Sequence, residues 1–302
     1  MGWLSHPACF KLRDSLLGRL RRPKYRFRNL RPVYFICGGF GSPRRDEIAE
    51  YLRKEKPDAL VFYADDAWNH LVQSRTDLNA LEMESVFAQL SDCVLIVVES
   101  PGTFAEVGAF SLSPDLRRKT LAVTNREFRD HPSFLNTGPL NWIARDSSFG
   151  GPIHADFGSV LDSIDQILER LARVKHRRTA EVIDICAAPK LLQLLIADIV
   201  GIFGPVSVAE VSAFMHALMP ESMTSLEEDT IRFHLSLGIA LRYLSEVSLE
   251  DEVHYLRVRE TLAEPYLSKR LFQLEEERLR FIEIAQRLPG GPEFFYRMDS
   301  QA

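Results

Sequence analysis

Short apolar runs alternate with amphipathic stretches from residue 32 onward. The apolar runs predict strands at residues 33–37, 59–63, 93–98 and 120–124, and the amphipathic stretches predict helices at 43–56, 78–90, 103–112 and 160–175. The apolar runs lack polar alternation, which indicates strands that are buried on both faces, as in a parallel sheet covered by helices. The pattern therefore predicts a doubly wound, parallel α/β domain over residues 32–178.

The stretch from 125 to 158 interrupts this alternation. It contains Pro/Gly clusters at 137–139 and 150–152. A loop of this length is too long for a simple connection, so we expect it to fold over a substrate pocket.

The second half of the chain has a different pattern. Helical periodicity at 189–203, 207–219 and 225–244 is followed by alternating apolar residues over 246–258 and by a last helix at 269–287. Three helices and a hairpin are the order of a winged helix, so we expect a smaller winged-helix-like α+β domain over 179–302. Its third helix contains three consecutive acids at 227–229, which favours protein contact or dimerisation over DNA binding.

Composition and charge separate the two halves further. The chain has 302 residues, of which 46% are hydrophobic and 26% charged, so disordered and low-complexity proteins are excluded. The net charge of -5 is uneven, because residues 179–302 hold 11 basic and 20 acidic residues and residues 1–178 hold 26 and 22. The second half therefore lacks the basic character of a typical nucleic-acid-binding domain.

A basic segment precedes the α/β pattern. Residues 11–31 hold nine basic residues and one acid, with Tyr25 and Phe27 between them. Cations and aromatic rings suit phosphate backbones and bases, so we expect residues 1–31 to form a nucleic-acid-binding arm. The alternative is a leader helix that docks on an acidic surface of the same chain. The candidate nucleic-acid contacts are Arg19, Arg21, Arg22, Lys24, Arg26 and Arg28.

The cysteines and the apolar segments indicate the compartment. Cys9, Cys37, Cys93 and Cys186 are isolated, which argues against a metal site and favours free thiols in a reducing cytosol. The N-terminus lacks the apolar core of a signal peptide, and polar residues, glycines and a proline interrupt the most apolar segment, 191–209. We therefore expect a cytoplasmic protein without a membrane span.

Two turns between predicted strands and helices could hold a ligand. The first contains Gly38, Gly39 and Gly41, whose free backbone N–H groups would attract phosphate, with Ser42 as the expected helix cap. The second leads to Glu106, which a helix starting at residue 103 would carry in its first turn. A carboxylate there can attack a sugar C1′, whereas the plainer role is to complement the helix dipole.

Three further polar residues could reach the same crevice, each with a structural alternative. Asp65 follows the second strand and could bind ribose hydroxyls or cap a turn. Glu84 could face the crevice from its helix or lie exposed on the helix surface. Asn136 could contact a substrate or simply form a turn.

The segment 101–108, Pro-Gly-Thr-Phe-Ala-Glu-Val-Gly, resembles the active-site segment of the nucleoside 2-deoxyribosyltransferase superfamily. That resemblance implies that Glu106 is the glycosyl-accepting nucleophile. The longer segment 99–110, together with residues 35–39, Phe-Ile-Cys-Gly-Gly, and the winged-helix order, is similar to the retron-associated effectors of bacterial anti-phage defence. The substrate-binding candidates are Gly38, Gly39, Gly41, Asp65, Glu84, Ser100, Gly102, Thr103 and Asn136.

The retron resemblance implies an N-glycosidase toxin that acts on NAD as substrate, without a cofactor. It also implies restraint by a reverse transcriptase and its multicopy single-stranded DNA, and we expect a homo-oligomer or larger assembly. Ser100 stands where many transferases have an aspartate that contacts the base, unless Glu99 substitutes. Nicotinamide leaves as a neutral molecule without protonation, so this loss favours NAD over a purine nucleoside.

Other functions remain open at this point. A nucleoside or nucleotide N-glycosidase, or a deoxyribosyltransferase, would use the same glutamate. A phosphoribohydrolase of the cytokinin-activating kind has a similar motif, but its first glycines are missing here. A non-enzymatic adaptor would use only the basic segment, with the sheet domain as a scaffold.

Overall fold

The computed structural model describes residues 4, 6–22, 26–28, 30–65, 79–174, 179–181, 188–219, 226–249, 252–258, 273–292 and 295. Contacts divide them into two compact units. The sheet unit contains the described residues of 31–65 and 79–174, and the terminal unit contains those of 4–30 and 179–295. Among the described residues, no helix is both long and apolar enough to cross a membrane.

The helices are α1 (Pro7–Leu20), α2 (Pro43–Glu55), α3 (Ala80–Leu90), α4 (Pro101–Leu112), α5 (Pro114–Lys119), α6 (Phe134–Thr137), α7 (Pro139–Asp146), α8 (Ile164–Arg173), α9 (Pro189–Phe203), α10 (Val208–Leu218), α11 (Glu228–Ala240) and α12 (Leu274–Ala285). The strands are β1 (Arg26–Arg28), β2 (Val33–Cys37), β3 (Leu60–Phe62), β4 (Cys93–Val98), β5 (Thr120–Asn125), β6 (Ile153–Ala155), β7 (Thr179–Glu181), β8 (Leu244–Leu249) and β9 (Glu252–Arg257).

The sheet unit is built on five parallel strands in the order β3-β2-β4-β5-β6. This confirms the predicted α/β class and is consistent with a doubly wound fold. The chain order reverses between β2 and β4, which are neighbours with Cys37 opposite Ile96. In such sheets a crevice opens beyond the carboxyl ends of the strands at the reversal point. The turns after β2 and β4 therefore meet at the place where a ligand is expected.

Both faces of this sheet are covered. On one face, Ile36 packs in a core with Leu52 of α2. Side chains alternate along a strand, so Phe35 points to the other face. There it stacks on Phe62 at 5.1 Å, and Phe87 of α3 meets both rings edge-on at 5.7 and 5.8 Å. This aromatic cluster joins α3 to β2 and β3.

The stretch 125–158 was predicted to be a long loop, and that part of the prediction is wrong. It contains a short 3-10 helix, α6, α7 and the edge strand β6. Leu140 and Ile143 of α7 are buried, and β6 pairs with β5 with Ile153 opposite Val123. These elements are three to eight residues long, too short for a periodicity to be visible in the sequence.

The terminal unit contains helices α9, α10 and α11 followed by the antiparallel hairpin β8–β9, the order that the sequence predicts. Val206, before α10, forms a bridge with Tyr255 of β9. Ser207 caps α10, because its side chain accepts a hydrogen bond from the backbone N–H of Glu210. Of the last predicted helix, residues 269–272 lie outside the described part.

The basic segment does not form a free arm over its first half. Helix α1 buries five of its side chains in the terminal unit, and β1 pairs with β7. Arg19 forms an ion pair with the buried Glu277 of α12 at 2.7 Å, and the Leu4 amide donates to Glu210 Oε1 at 2.7 Å. The alternative interpretation, a helix docked on acidic side chains of the same chain, therefore describes α1.

The aromatic cluster yields the first testable prediction. Phe87→Ala removes a fully buried ring that contacts two others, so it should lower the free energy of unfolding by about 3–5 kcal/mol. Phe134, whose side chain is 85% exposed, provides the matched control, and Phe134→Ala should cost less than about 0.5 kcal/mol. Urea denaturation followed by circular dichroism measures both, and equal losses would contradict the packing.

Candidate active site

The glycine turn after β2 is shaped by its own side-chain contacts. Ser42 caps α2 by accepting a hydrogen bond from the Arg45 amide at 3.2 Å, as predicted. Gly41 has φ of +67°, a conformation that favours glycine. A Cβ added to Gly38 would lie 2.7 Å from Cβ of Arg45, so the missing side chain makes room for that arginine.

Glu99 connects this turn to the turn after β4. Its Oε1 accepts from the Gly39 amide at 3.2 Å, and its Oε2 pairs with Arg44 at 2.9 Å. The Gly39 amide, predicted to bind phosphate, therefore already has a partner within the protein. Glu99 is likewise engaged and is poorly placed to replace the missing base-contacting aspartate.

Ser100 and Thr103 start helix α4. The Ser100 hydroxyl accepts from the Thr103 amide at 3.3 Å, and the Thr103 hydroxyl accepts from the Ser100 amide at 2.9 Å. This reciprocal pair satisfies backbone N–H groups that the first turn would leave without partners. Both residues were predicted to bind substrate, and the structure shows them capping the helix, with the exposed Gly102 between them.

The position of Glu106 differs from the prediction. Helix α4 begins at Pro101, two residues earlier than expected, so Glu106 lies in the second turn and the first turn holds no acid. The helix dipole acts mainly on charges within the first turn. The plainer interpretation of Glu106, as a complement to the dipole, is therefore weakened.

Glu106 belongs to a cluster of three carboxyl groups close enough for their charges to interact. This carboxyl cluster consists of Asp65 after β3, Glu84 of α3 and Glu106 of α4. Burial raises the pKa of Glu106 to about 7, with a further increase from Asp65. Burial also raises the pKa of Glu84 to about 7, and the charges of Glu106 and Asp65 act in the same direction. Both groups can therefore exchange protons near neutral pH.

Arg45 is the cation that opposes these charges. Its guanidinium pairs with Asp65 at 2.6 Å and Asp46 at 3.1 Å and lies over the Tyr63 ring at 4.4 Å. Its charge also lowers the pKa of Glu106, but less than burial raises it. Because two carboxylates share Arg45, Glu106 is not held in a simple ion pair.

Glu106 has two further features that suit a reactive group. The buried thiol of Cys37, the last residue of β2, is close enough to lower the pKa of this carboxyl. Its Oε2 atom is buried and has no hydrogen-bond partner among the described residues. A partly buried carboxyl with an unsatisfied oxygen and a near-neutral pKa can act as a nucleophile or a proton carrier.

Asn136 and Lys24 are two further residues that the sequence proposed as ligand contacts. The side-chain amide of Asn136 donates hydrogen bonds to the carbonyls of Phe128 at 2.7 Å and His131 at 2.8 Å. These contacts stabilise a turn, as the alternative interpretation of this residue predicts. Lys24 lies outside the described residues. The sequence interpretation did not place Cys37 near the site and treated it only as an isolated free thiol. Its place at the end of β2, directly before the glycine turn, was the available signal.

The carboxyl cluster predicts how stability depends on pH. A carboxyl whose folded pKa exceeds its unfolded value contributes stability at low pH that is lost as the pH rises through the folded value. Glu106→Gln should therefore gain stability relative to the unchanged protein between about pH 5 and about pH 8, by up to about 3 kcal/mol. Glu50→Gln, at an exposed carboxyl of α2, is the control for urea denaturation at each pH. A pH-independent difference for Glu106→Gln would contradict the assignment.

Two curated proteins of Escherichia coli match part of the chain, each provisionally described as a ribosyltransferase/DNA-binding protein. The retron Ec86 protein is 31% identical over 139 residues, 45% of either chain. The retron Ec73 protein is 31% identical over 146 residues, 46% of either chain. The chain thus spans less than half the length of these relatives.

A family model gives broader coverage. The model of the STM3845 retron effector protein matches residues 42–246, well over half of the chain. The matched region runs from the cap of α2 into β8 and includes Glu84 and Glu106. The chain therefore belongs to the STM3845 retron effector family.

Proposed function

We propose that this retron effector hydrolyses the N-glycosidic bond of NAD, with Glu106 as the nucleophile. The observation that carries the proposal is the partly buried Glu106 carboxyl, with a pKa of about 7, beside the crevice where the strand order reverses. The resemblance of residues 101–108 to the deoxyribosyltransferase active-site segment supports the same role. The description of two relatives as ribosyltransferases agrees with transfer chemistry at a ribose carbon.

The proposed reaction has two steps. The Glu106 carboxylate attacks C1′ of the ribose that carries nicotinamide in NAD, and the C1′–N bond breaks with its electron pair leaving on nicotinamide. Water then hydrolyses the glycosyl ester, giving ADP-ribose and a proton and regenerating Glu106. Glu84 can accept that proton near neutral pH. Asp65 would contact the ribose hydroxyls.

The surroundings of Ser100 support a pyridinium leaving group over a purine. Ser100 caps α4, and Glu99 is paired with Arg44 and the Gly39 amide. Glu99 is therefore occupied by other partners, and a serine hydroxyl is too weak an acid to protonate a departing purine. Nicotinamide is positively charged while bound to ribose, and it leaves as a neutral molecule without a proton donor.

Loss of the Glu106 charge tests the mechanism. Glu106→Gln should reduce nicotinamide release at least about a thousandfold, because the amide cannot form the glycosyl ester. Cells that produce the effector, with and without its retron partners, are assayed for NAD, nicotinamide and ADP-ribose, alongside a panel of nucleosides and nucleotides. Glu50→Gln should retain activity. A folded Glu106→Gln protein that still releases nicotinamide, or cleavage confined to nucleosides, would overturn the proposal.

We also propose that the basic segment contacts the nucleic acid of the retron, with a reverse transcriptase and multicopy single-stranded DNA as partners in a larger assembly. The Ec86 and Ec73 relatives are described as DNA-binding, and Arg22 is exposed just after α1. Arg19 and Arg21 are less suited, since they bond to Glu277 and to the Ala217 carbonyl within the terminal unit.

A winged-helix-like role in protein contact is proposed for helices α9–α11 and the β8–β9 hairpin. The element order and the Val206–Tyr255 bridge support this assignment. Helix α11 begins with Glu228 and Asp229, and Arg232 pairs with Glu228 at 2.8 Å. Such an acidic start would repel a phosphate backbone, which favours a protein partner.

Salt dependence tests the nucleic-acid proposal. The double substitution Arg22→Ala with Lys24→Ala should reduce the slope of log affinity against log salt for single-stranded DNA by about 1.4, since each lost phosphate contact contributes about 0.7. Lys54→Ala, at an exposed cation of the sheet unit, is the control. Fluorescence anisotropy of a labelled oligonucleotide gives the slope, and an unchanged slope would exclude these two residues.

A further inference from the structure

Arg44 joins the ends of three strands of the sheet unit. It lies in the first turn of α2, which follows β2. Its Nη1 pairs with Oε2 of Glu99 after β4 at 2.9 Å, and its Nε donates to the carbonyl of Phe157 after β6 at 2.7 Å. The guanidinium also lies over the Phe157 ring at 5.0 Å. Arg44 therefore lies at the carboxyl edge of the sheet, where ligands of such folds bind.

Part of this guanidinium is left for a ligand. Arginine has five N–H donors, and those on Nη2 of Arg44 hydrogen-bond to none of the residues that the structure describes. The side chain of Arg44 is 36% exposed and that of Glu99 only 9%, so the cation of this pair faces solvent. Two nearby groups that could attract an anion are occupied, because Arg45 is paired with two carboxylates and the Gly39 amide donates to Glu99.

We propose that Arg44 binds the diphosphate of the substrate, so that the crevice selects a dinucleotide over a nucleoside. This inference rests on the proposed function and names the part of NAD that is recognised away from the bond that breaks. A guanidinium presents its donors in a planar fork that fits phosphate oxygens. The contacts with Glu99 and Phe157 hold that fork in place before the substrate arrives, so little side-chain entropy is lost on binding.

A pair of substrates with and without the diphosphate tests this role. Nicotinamide riboside has the same C1′–N bond as NAD and no phosphate. For the full chain with its retron partners, Arg44→Gln should raise KM for NAD about tenfold and change kcat less than about twofold, since the contact is the same in ground and transition states. Its kcat/KM for nicotinamide riboside should stay within about twofold. Equal losses on both substrates would show that Arg44 only holds the turns together and would overturn the assignment.

Two further variants separate charge from packing. Arg44→Lys keeps the charge without the fork, so its KM for NAD should stay within about threefold of the unchanged protein. Arg170 of α8 is the matched control, because it donates to the carbonyl of Phe149 before β6 at 2.7 Å, as Arg44 does to that of Phe157 after β6. Arg170→Gln should lower stability as much as Arg44→Gln and leave KM for NAD unchanged. The same KM in Arg44→Lys and Arg44→Gln would contradict a contact with phosphate.

Binding of ADP-ribose separates this site from the proposed reaction, because no bond is cleaved. Isothermal titration calorimetry of the full chain should give an affinity for ADP-ribose that falls about tenfold in Arg44→Gln and is unchanged in Arg170→Gln. Equal affinities in Arg44→Gln and the unchanged protein, or no binding to the unchanged protein, refute the diphosphate site even if NAD is cleaved. The expected loss in a protein that cleaves no NAD refutes the proposed reaction and leaves the site intact.

Discussion

The partial burial of the carboxyl cluster is the constraint on which the site of the sheet unit depends. Removing an ionised carboxyl from water is costly unless a counter-charge or hydrogen bond accompanies it. Arg45 supplies the counter-charge, and Gly38 leaves the space that its side chain occupies. The glycine turn therefore makes room for the cation that stabilises the cluster. The need to accommodate Arg45 explains a glycine at position 38 without any ligand.

The sequence predicted the sheet well because long apolar runs have few alternatives. The run at 93–98 is uninterrupted, and the structure places β4 at those residues in the middle of the sheet. Elements of three or four residues, such as β6 and α6, carry no usable periodicity and were missed. The start of α4 was misplaced because Pro101, read as part of a turn, is the first residue of the helix.

The structure brings some of the candidate site residues together and assigns others to local hydrogen bonds. Glu106, Glu84 and Asp65 were identified from their positions after strands or on the facing helix, and the structure brings them together. Ser100, Thr103 and Asn136 make hydrogen bonds to the local backbone, which residue type alone could not separate from ligand contacts. The proximity of Cys37 to Glu106 is a property of the fold, which residue type alone does not reveal.

The docking of α1 has a consequence for the order in which the protein forms. Leu4 and its hydrogen-bond partner Glu210 are 206 residues apart in the chain. Arg19 pairs with Glu277 of α12, which lies still further along the chain. Translation proceeds from the N-terminus, and domains generally fold as units when their residues have emerged from the ribosome. All strands of the five-stranded sheet precede α9 in the chain, whereas Glu277, which pairs with Arg19 of α1, follows α11. The residues of the carboxyl cluster are therefore available to fold before the terminal unit has the residues that it needs to close.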